Sequence, residues 1–144
     1  MNTELGFRGY ISSRPFDGER APQHVQNIVI RAYCDRKRLP YLLSATEVAM
    51  PDSFLMLEQL LEHIYKVQGI VFYSLLQLPS NSHRRQTMCA KIIETGRSIH
   101  FAVEELSIKN KGDLHRIERI MEVKMCLPNC LGVSELKEFY SIPE

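Results

Sequence analysis

Apolar and polar positions alternate in blocks along this chain. Phe7 to Ser12, Tyr41 to Ser44, a run opening at Gly69 and broken by Pro79-Ser80-Asn81-Ser82, and Ser98 to Val103 read as short apolar strands that lead into polar loops. Helical spacing fills the intervals. Val25, Ile28, Val29, Ala32 and Tyr33 recur at three- and four-residue steps after Pro22, which suits a first helical turn, and the helix ends in the basic run Arg36-Lys37-Arg38. After a loop over Ala45 to Pro51, Asp52 or Ser53 can cap a second helix carrying Phe54, Leu57, Leu60, Leu61 and Ile64 on one side. A third helix runs from about His83 to Thr95 with Met88, Ile92 and Ile93 inward, and Gly96 is placed for a left-handed C-cap.

The third strand is apolar on both faces, so it belongs inside a sheet covered by helices on either side. Strand and helix alternate throughout, which predicts a single-domain α/β fold: a mostly parallel sheet of four to five strands with right-handed crossovers and helices on both faces. Residues 1–105 form this β-α core and 106–144 a helical extension. In the extension, Asn110-Lys111-Gly112 is a turn, Asp113 caps a helix with Leu114, Ile117, Ile120 and Met121 as its stripe, and the region from Cys126 to Cys130 with Pro128 ends it; a last short helix starts near Ser134. That stripe fits either the chain's own sheet or a second subunit, the latter giving a homodimer through Asp113 to Met125.

With 144 residues, 44% apolar and 24% charged, the chain is one ordinary domain with a core that needs no disulfide or metal. A formal net charge of +1 supplies no field to gather nucleic acid. No apolar run approaches the length that spans a bilayer, and the first residues lack a signal-peptide pattern, so a cytoplasmic protein without a membrane partner is expected. Cys34, Cys89, Cys126 and Cys130 are then expected as reduced thiols. The five histidines show no paired ligand spacing and neither dinucleotide nor P-loop glycine motifs occur, so no metal or cofactor is predicted.

Candidate chemistry collects at the strand ends. Ser12, Ser13 and Arg14 follow the first strand, with Arg20 and Gln23 beyond; Ser44, Thr46 and Glu47 follow the second, Tyr73, Ser74 and Gln77 the third, Glu104 and Glu105 the fourth. In a parallel sheet these ends share one edge, where ligands of open α/β sheets bind. Hydroxyls and amides there suit sugar hydroxyls, and Arg14 and Arg20 suit a phosphate or carboxylate. Glu47 and Glu104 suit proton transfer or glycosyl chemistry, although an isolated Glu after a strand is more often a helix cap or a surface residue, and Ser13 suits a nucleophile. The competing reading is that loops are polar because they are solvated. Arg84 and Arg85, at a helix start where the dipole disfavours cations, hint at a nearby anion, although solvation on the helix surface is the commoner explanation.

Two resemblances add to this reading. Gly9-Tyr10, Gln26, Ile30-Arg31, Tyr33, Met56 to Leu61 and Ile70-Val71 with Ser74-Leu75 and Leu78 resemble the catalytic domain of serine recombinases over roughly residues 7–105. In that family a first-strand Tyr-x-Arg-x-Ser motif carries the nucleophile, and arginines in a Leu-Asp-Arg-Leu-x-Arg segment hold the scissile phosphate. Here the motif's arginine falls on Ser12, its serine on Arg14 and the later arginines on Gln77 and Ser80. Only fourteen residues follow Cys130, too few for a helix-turn-helix.

Gly9 to Phe16 with Gly18, Pro22 to Asn27, Leu43 to Glu47, Tyr73-Ser74 with Gln77-Leu78-Pro79, and His100-Phe101-Ala102 with Glu104 are similar to bacterial sporadic carbohydrate cluster proteins. That likeness implies a setting among genes for surface polysaccharide and lipopolysaccharide synthesis. The expected fold is therefore resolvase-like or flavodoxin-like, and the expected partner a sugar or nucleotide-sugar. Three classes of function follow: an enzyme modifying such an intermediate, a non-catalytic binding or regulatory subunit of the polysaccharide machinery, or a degenerate recombinase-like domain.

Overall fold

A computed structural model describes residues 6–12, 22–47 and 54–126, with side chains through residue 123. Five strands, β1 (Phe7–Ser12), β2 (Tyr41–Glu47), β3 (Gly69–Phe72), β4 (Ser98–Phe101) and β5 (Leu106–Ile108), form one sheet in the order β2-β1-β3-β4-β5. The first four run parallel and β5 returns antiparallel to β4. The helices are α1 (Gln23–Lys37), α2 (Leu55–Glu62), α3 (Ser82–Glu94) and α4 (Lys111–Cys126).

The pleat sends alternate side chains of each strand to opposite faces and so divides the core in two. Tyr10, Ala45, Ile70, Phe72, Ile99 and Phe101 meet α2, α3 and α4 on one face. Phe7, Ile11 and Val71 meet Ile30, Tyr33 and Cys34 of α1 on the other. Three helices against one leaves α1 as the cover of the second face, and its packing there explains Gly9. A Cβ on Gly9 would stand 2.2 Å from Ser44 Oγ and 3.4 Å from Ile30, so only glycine admits both.

Several sequence expectations need correction. The buried stripe of α1 is Gln26, Ile30, Tyr33 and Cys34, while Ile28 is 62% exposed. A buried glutamine broke the apolar pattern and rotated the apparent stripe. Ala45 to Glu47 continue β2 rather than opening a loop. The fourth strand stops at Phe101, and Ala102 to Glu105 turn into β5, with Glu105 left-handed at φ 56°. At three residues, β5 is too short to show alternation. Gly96 holds the left-handed conformation its position implied, at φ 79°. In α4, Leu114, Ile117 and Met121 are buried in the chain's own core, which removes the uncovered stripe that pointed to a homodimer through Asp113 to Met125. The proposed cap at Asp52 or Ser53, Cys130 and the short helix from Ser134 lie outside the described residues.

Candidate functional site

The carboxyl edge of the sheet carries a connected polar network. Ser12 ends β1, and its backbone N–H donates to Gln26 Oε1 at 3.0 Å while its carbonyl accepts from Gln26 Nε2 at 2.7 Å. The α1 carboxamide thus extends β1 by one ladder step. Gln26 Oε1 also accepts from Gln77 Nε2 at 2.9 Å. Gln77 Oε1 in turn accepts from the N–H of Tyr73 at 3.0 Å and is 3.4 Å from that of Ser74.

Ser74 caps the 3-10 turn Leu75–Gln77, its Oγ accepting from Leu76 N–H at 3.1 Å and donating to Glu104 Oε2 at 2.7 Å. The other oxygen of Glu104 accepts from Leu75 N–H at 3.1 Å. Side chains thus tie the turns after β3 and β4 to the end of β1, beside the backbone bonds from Ala102 and Val103 to Phe72 and Tyr73. Gln26, Ser12, Ser74 and Gln77 are all buried, where an amide must be paired to be tolerated.

Glu47 is the ladder partner of Ser12 on β2 and turns its carboxylate toward α2. Fully buried, it accepts from Tyr10 Oη at 2.8 Å and from the N–H groups of Met56 and Leu57 at the start of α2. A carboxylate at that place satisfies the first-turn donors of α2 and complements its dipole. Among the described residues, Glu47 and Glu104, expected as an acid and base pair, each accept from the first N–H groups of a helical turn.

The other candidates are spread out. Ser44 lies in mid-strand, donating to Asn27 Oδ1 at 2.8 Å and bonded to Tyr41 Oη at 2.6 Å, away from the edge. Thr46 is exposed on β2 and Gln23 is exposed at the start of α1. Tyr73 is half-buried and packs toward the α1 side. Ser13, Arg14 and Arg20 lie outside the described residues. Ser12, Ser74, Gln77 and Glu104 do come together, around Gln26, a helix residue that polarity at the strand ends does not single out. A lone glutamine at 26, in step with Ile30 and Tyr33, was the signal that would have found it.

Arg84 and Arg85 also receive partners. Arg85 is buried and grips Glu118 with two bonds, Nε to Oε2 at 2.6 Å and Nη2 to Oε1 at 2.7 Å, while Nη1 donates to the carbonyls of Pro79 and Ser80. Burial pushes the Glu118 carboxyl upward, but the Arg85 bonds and charge, with Ser82 and Gln86, bring it net below its ordinary value. Arg84 pairs with Glu58 at 2.9 Å and lies over the Phe54 ring. Arg84 is thus a solvated surface arginine, and Arg85 a buried one with a carboxylate partner.

A second polar chain crosses the α1 face of the sheet, from Ser98 Oγ to His100 Nε2 at 3.0 Å and from His100 Nδ1 to Tyr33 Oη at 2.9 Å. Burial, with Lys109 and Lys37 adding, lowers the His100 pKa from 6.5 to about 4. A neutral imidazole so reluctant to take a proton is a poor general base for Ser98. Among the described residues no cluster of histidine, cysteine and carboxylate groups fits a metal ion, and no helix is long and apolar enough to cross a membrane.

No protein-family model matches the chain, and no curated protein matches it. Among solved structures it is similar to a resolvase family site-specific recombinase from Streptococcus pneumoniae, at 12% identity with a TM-score of 0.58, over 86% of this chain and 95% of that one. At such identity the likeness establishes the fold: a single-domain, mostly parallel α/β sheet of resolvase type. Nothing in these comparisons supports the resemblance to sporadic carbohydrate cluster proteins.

Proposed function

We propose that this chain is a non-catalytic binding module that keeps a resolvase-type fold without resolvase chemistry. The observation that carries the reading is the use of the strand-end side chains on one another. Gln26 and Gln77 spend their carboxamides on the backbone and each other, and Ser74, Glu104 and Glu47 cap helical turns. A nucleophile or general acid needs a lone pair or proton directed at a substrate. Groups so engaged instead make a rigid floor, which favours recognition through low reorganisation. The positions that would carry a phosphate clamp hold Gln77 and Ser80, and a net charge of +1 offers no compensation for a polyanion.

A narrower assignment, binding of a sugar or nucleotide-sugar in surface polysaccharide assembly, draws its support from the sequence resemblance. The edge is chemically suited to it, with Thr46 and Gln23 exposed and Glu104 half-buried beside the floor. Arg14 and Arg20 would contribute the anion-binding part.

Calorimetric titration with UDP- and GDP-linked sugars, alongside incubation with supercoiled DNA, tests both levels. Saturable binding of a nucleotide-sugar without turnover is the expected result, weakened by Arg14→Ala. Turnover of the sugar overturns the non-catalytic reading. A covalent DNA adduct that disappears in Ser13→Ala restores recombinase chemistry.

A further inference from the structure

The outer surface of α3 is a low ridge between two hollows. Toward α2 lies one of about 400 Å³, floored by Phe54, Leu57, Leu61 and Met88. Toward α4 lies another of about 540 Å³, with Leu114 in its wall. Both are bordered by His83 and Thr87, so they flank the same stretch of helix. The ridge is low because Thr87 and Ala90 are small. Large side chains there would fill the hollows that α2 and α4 frame.

The walls are electrically lopsided. Arg84, Lys91, Lys111 and Arg119 border the hollows, against Glu58, Glu118 and Glu122. Glu58 is paired with Arg84 and Glu118 with buried Arg85, so among the described residues that line the hollows Lys91, Lys111 and Arg119 stand against one further carboxylate, Glu122. All three of these cations are exposed, and they stand on both sides of the ridge. The Arg85–Glu118 fork, tied also to Pro79 and Ser80, holds α4 at a set distance from α3, so the trough is a fixed feature of the fold.

We propose that this trough is a docking site for an acidic amphipathic helix of a partner protein. Its apolar stripe would lie over the ridge and into the hollow between α2 and α3, and its carboxylates would meet Lys91 of α3 itself and Lys111 and Arg119 of α4. The thirteen residues of α3 give a trough of about 20 Å, room for three to four turns of a bound helix. Charge complementarity selects an acidic over a basic partner. This surface lies on the helix layer rather than at the strand ends, so it stands or falls independently of the ligand proposed there.

The probe is a fluorescein-labelled fifteen-residue peptide with leucine at helical i, i+3, i+4 and i+7 steps and glutamate elsewhere, compared with its lysine counterpart by anisotropy. The acidic peptide is expected to saturate in the micromolar range and the basic one to bind at least about tenfold more weakly. Two surface variants, Lys91→Glu with Lys111→Glu and Arg119→Glu, and separately Thr87→Trp, should each weaken the acidic peptide by about tenfold or more without altering the circular dichroism. The first removes the charge and the second raises the ridge. Equal binding of both peptides, no saturation below about 1 mM, or indifference to both variants overturns the proposal. So does a wild-type dimer that Thr87→Trp converts to monomer, because a second copy would then occupy the trough.

Discussion

The carboxamides of Gln26 and Gln77, 51 residues apart in the chain, meet at 2.9 Å and are the hinge pin of the carboxyl edge. Each also holds backbone groups of a strand end or turn. Removing either leaves buried amides unpaired, at about 1–3 kcal/mol each. Gln26→Ala and Gln77→Ala should therefore each lower stability in urea titrations by about that amount, and the double variant should cost less than their sum, because the second loss removes a group already orphaned. Strict additivity would show the two amides to be independent.

Local pattern made most of this fold readable and left its polar joints hidden. The strands beginning at Phe7, Tyr41, Gly69 and Ser98 and the helix stripes of α3 and α4 follow from periodicity, because apolar burial is what places them. Gln26 defeated the same rule: a buried amide looks like surface until its partner 51 residues away is known. Glu47 and Glu104 were half legible: a glutamate after a strand is more often a helix cap or surface residue than an acid or base, and each does cap a turn, but which turn could not be read because it belongs to another segment. Pairing of Arg85 with Glu118, 33 residues on, was equally invisible.

Two glycines in the sheet should differ in their tolerance of a methyl group. At Gly9 the obstacle is Ser44 Oγ, 2.2 Å from the added Cβ, whereas at Gly69 it is the Ser98 carbonyl at the same distance, with the Phe7 ring at 2.7 Å. A side chain can be removed and a backbone carbonyl cannot. Gly9→Ala should destabilise by about 1–3 kcal/mol and recover in part when combined with Ser44→Gly, while Gly69→Ala should cost more and find no such rescue. Thermal unfolding of the four proteins decides it; recovery absent at Gly9 would place the strain elsewhere.

His100 makes stability depend on pH in mild acid. Its folded pKa of about 4 lies below the ordinary 6.5, so between those values the unfolded chain binds a proton that the native protein refuses. Stability contributed by the neutral imidazole is whole above pH 6.5 and declines as pH falls toward 4, by up to about 3 kcal/mol from the size of the shift. Urea midpoints measured from pH 7 to 4 should slope downward in the wild type and flatten in His100→Gln. An unchanged slope in the variant would assign the acid lability to other groups.

Glu118 acts in a lower pH range and through a different partner. Its folded pKa lies below its ordinary value, so the contribution of the ion pair is present above the unfolded carboxylate pKa and lost as pH drops through the folded one. At neutral pH, Glu118→Leu alone leaves the Arg85 guanidinium buried with only carbonyl partners, and should cost about 3–5 kcal/mol. Adding Arg85→Met removes the stranded charge, and an apolar pair of similar volume is often as stable as the ion pair it replaces. The double variant should therefore regain most of the loss, and its unfolding midpoint should no longer fall with Glu118 titration at low pH. Failure of Arg85→Met to rescue would mean that the bonds to Pro79 and Ser80, rather than the charge pair, are what hold α3 to the end of β3.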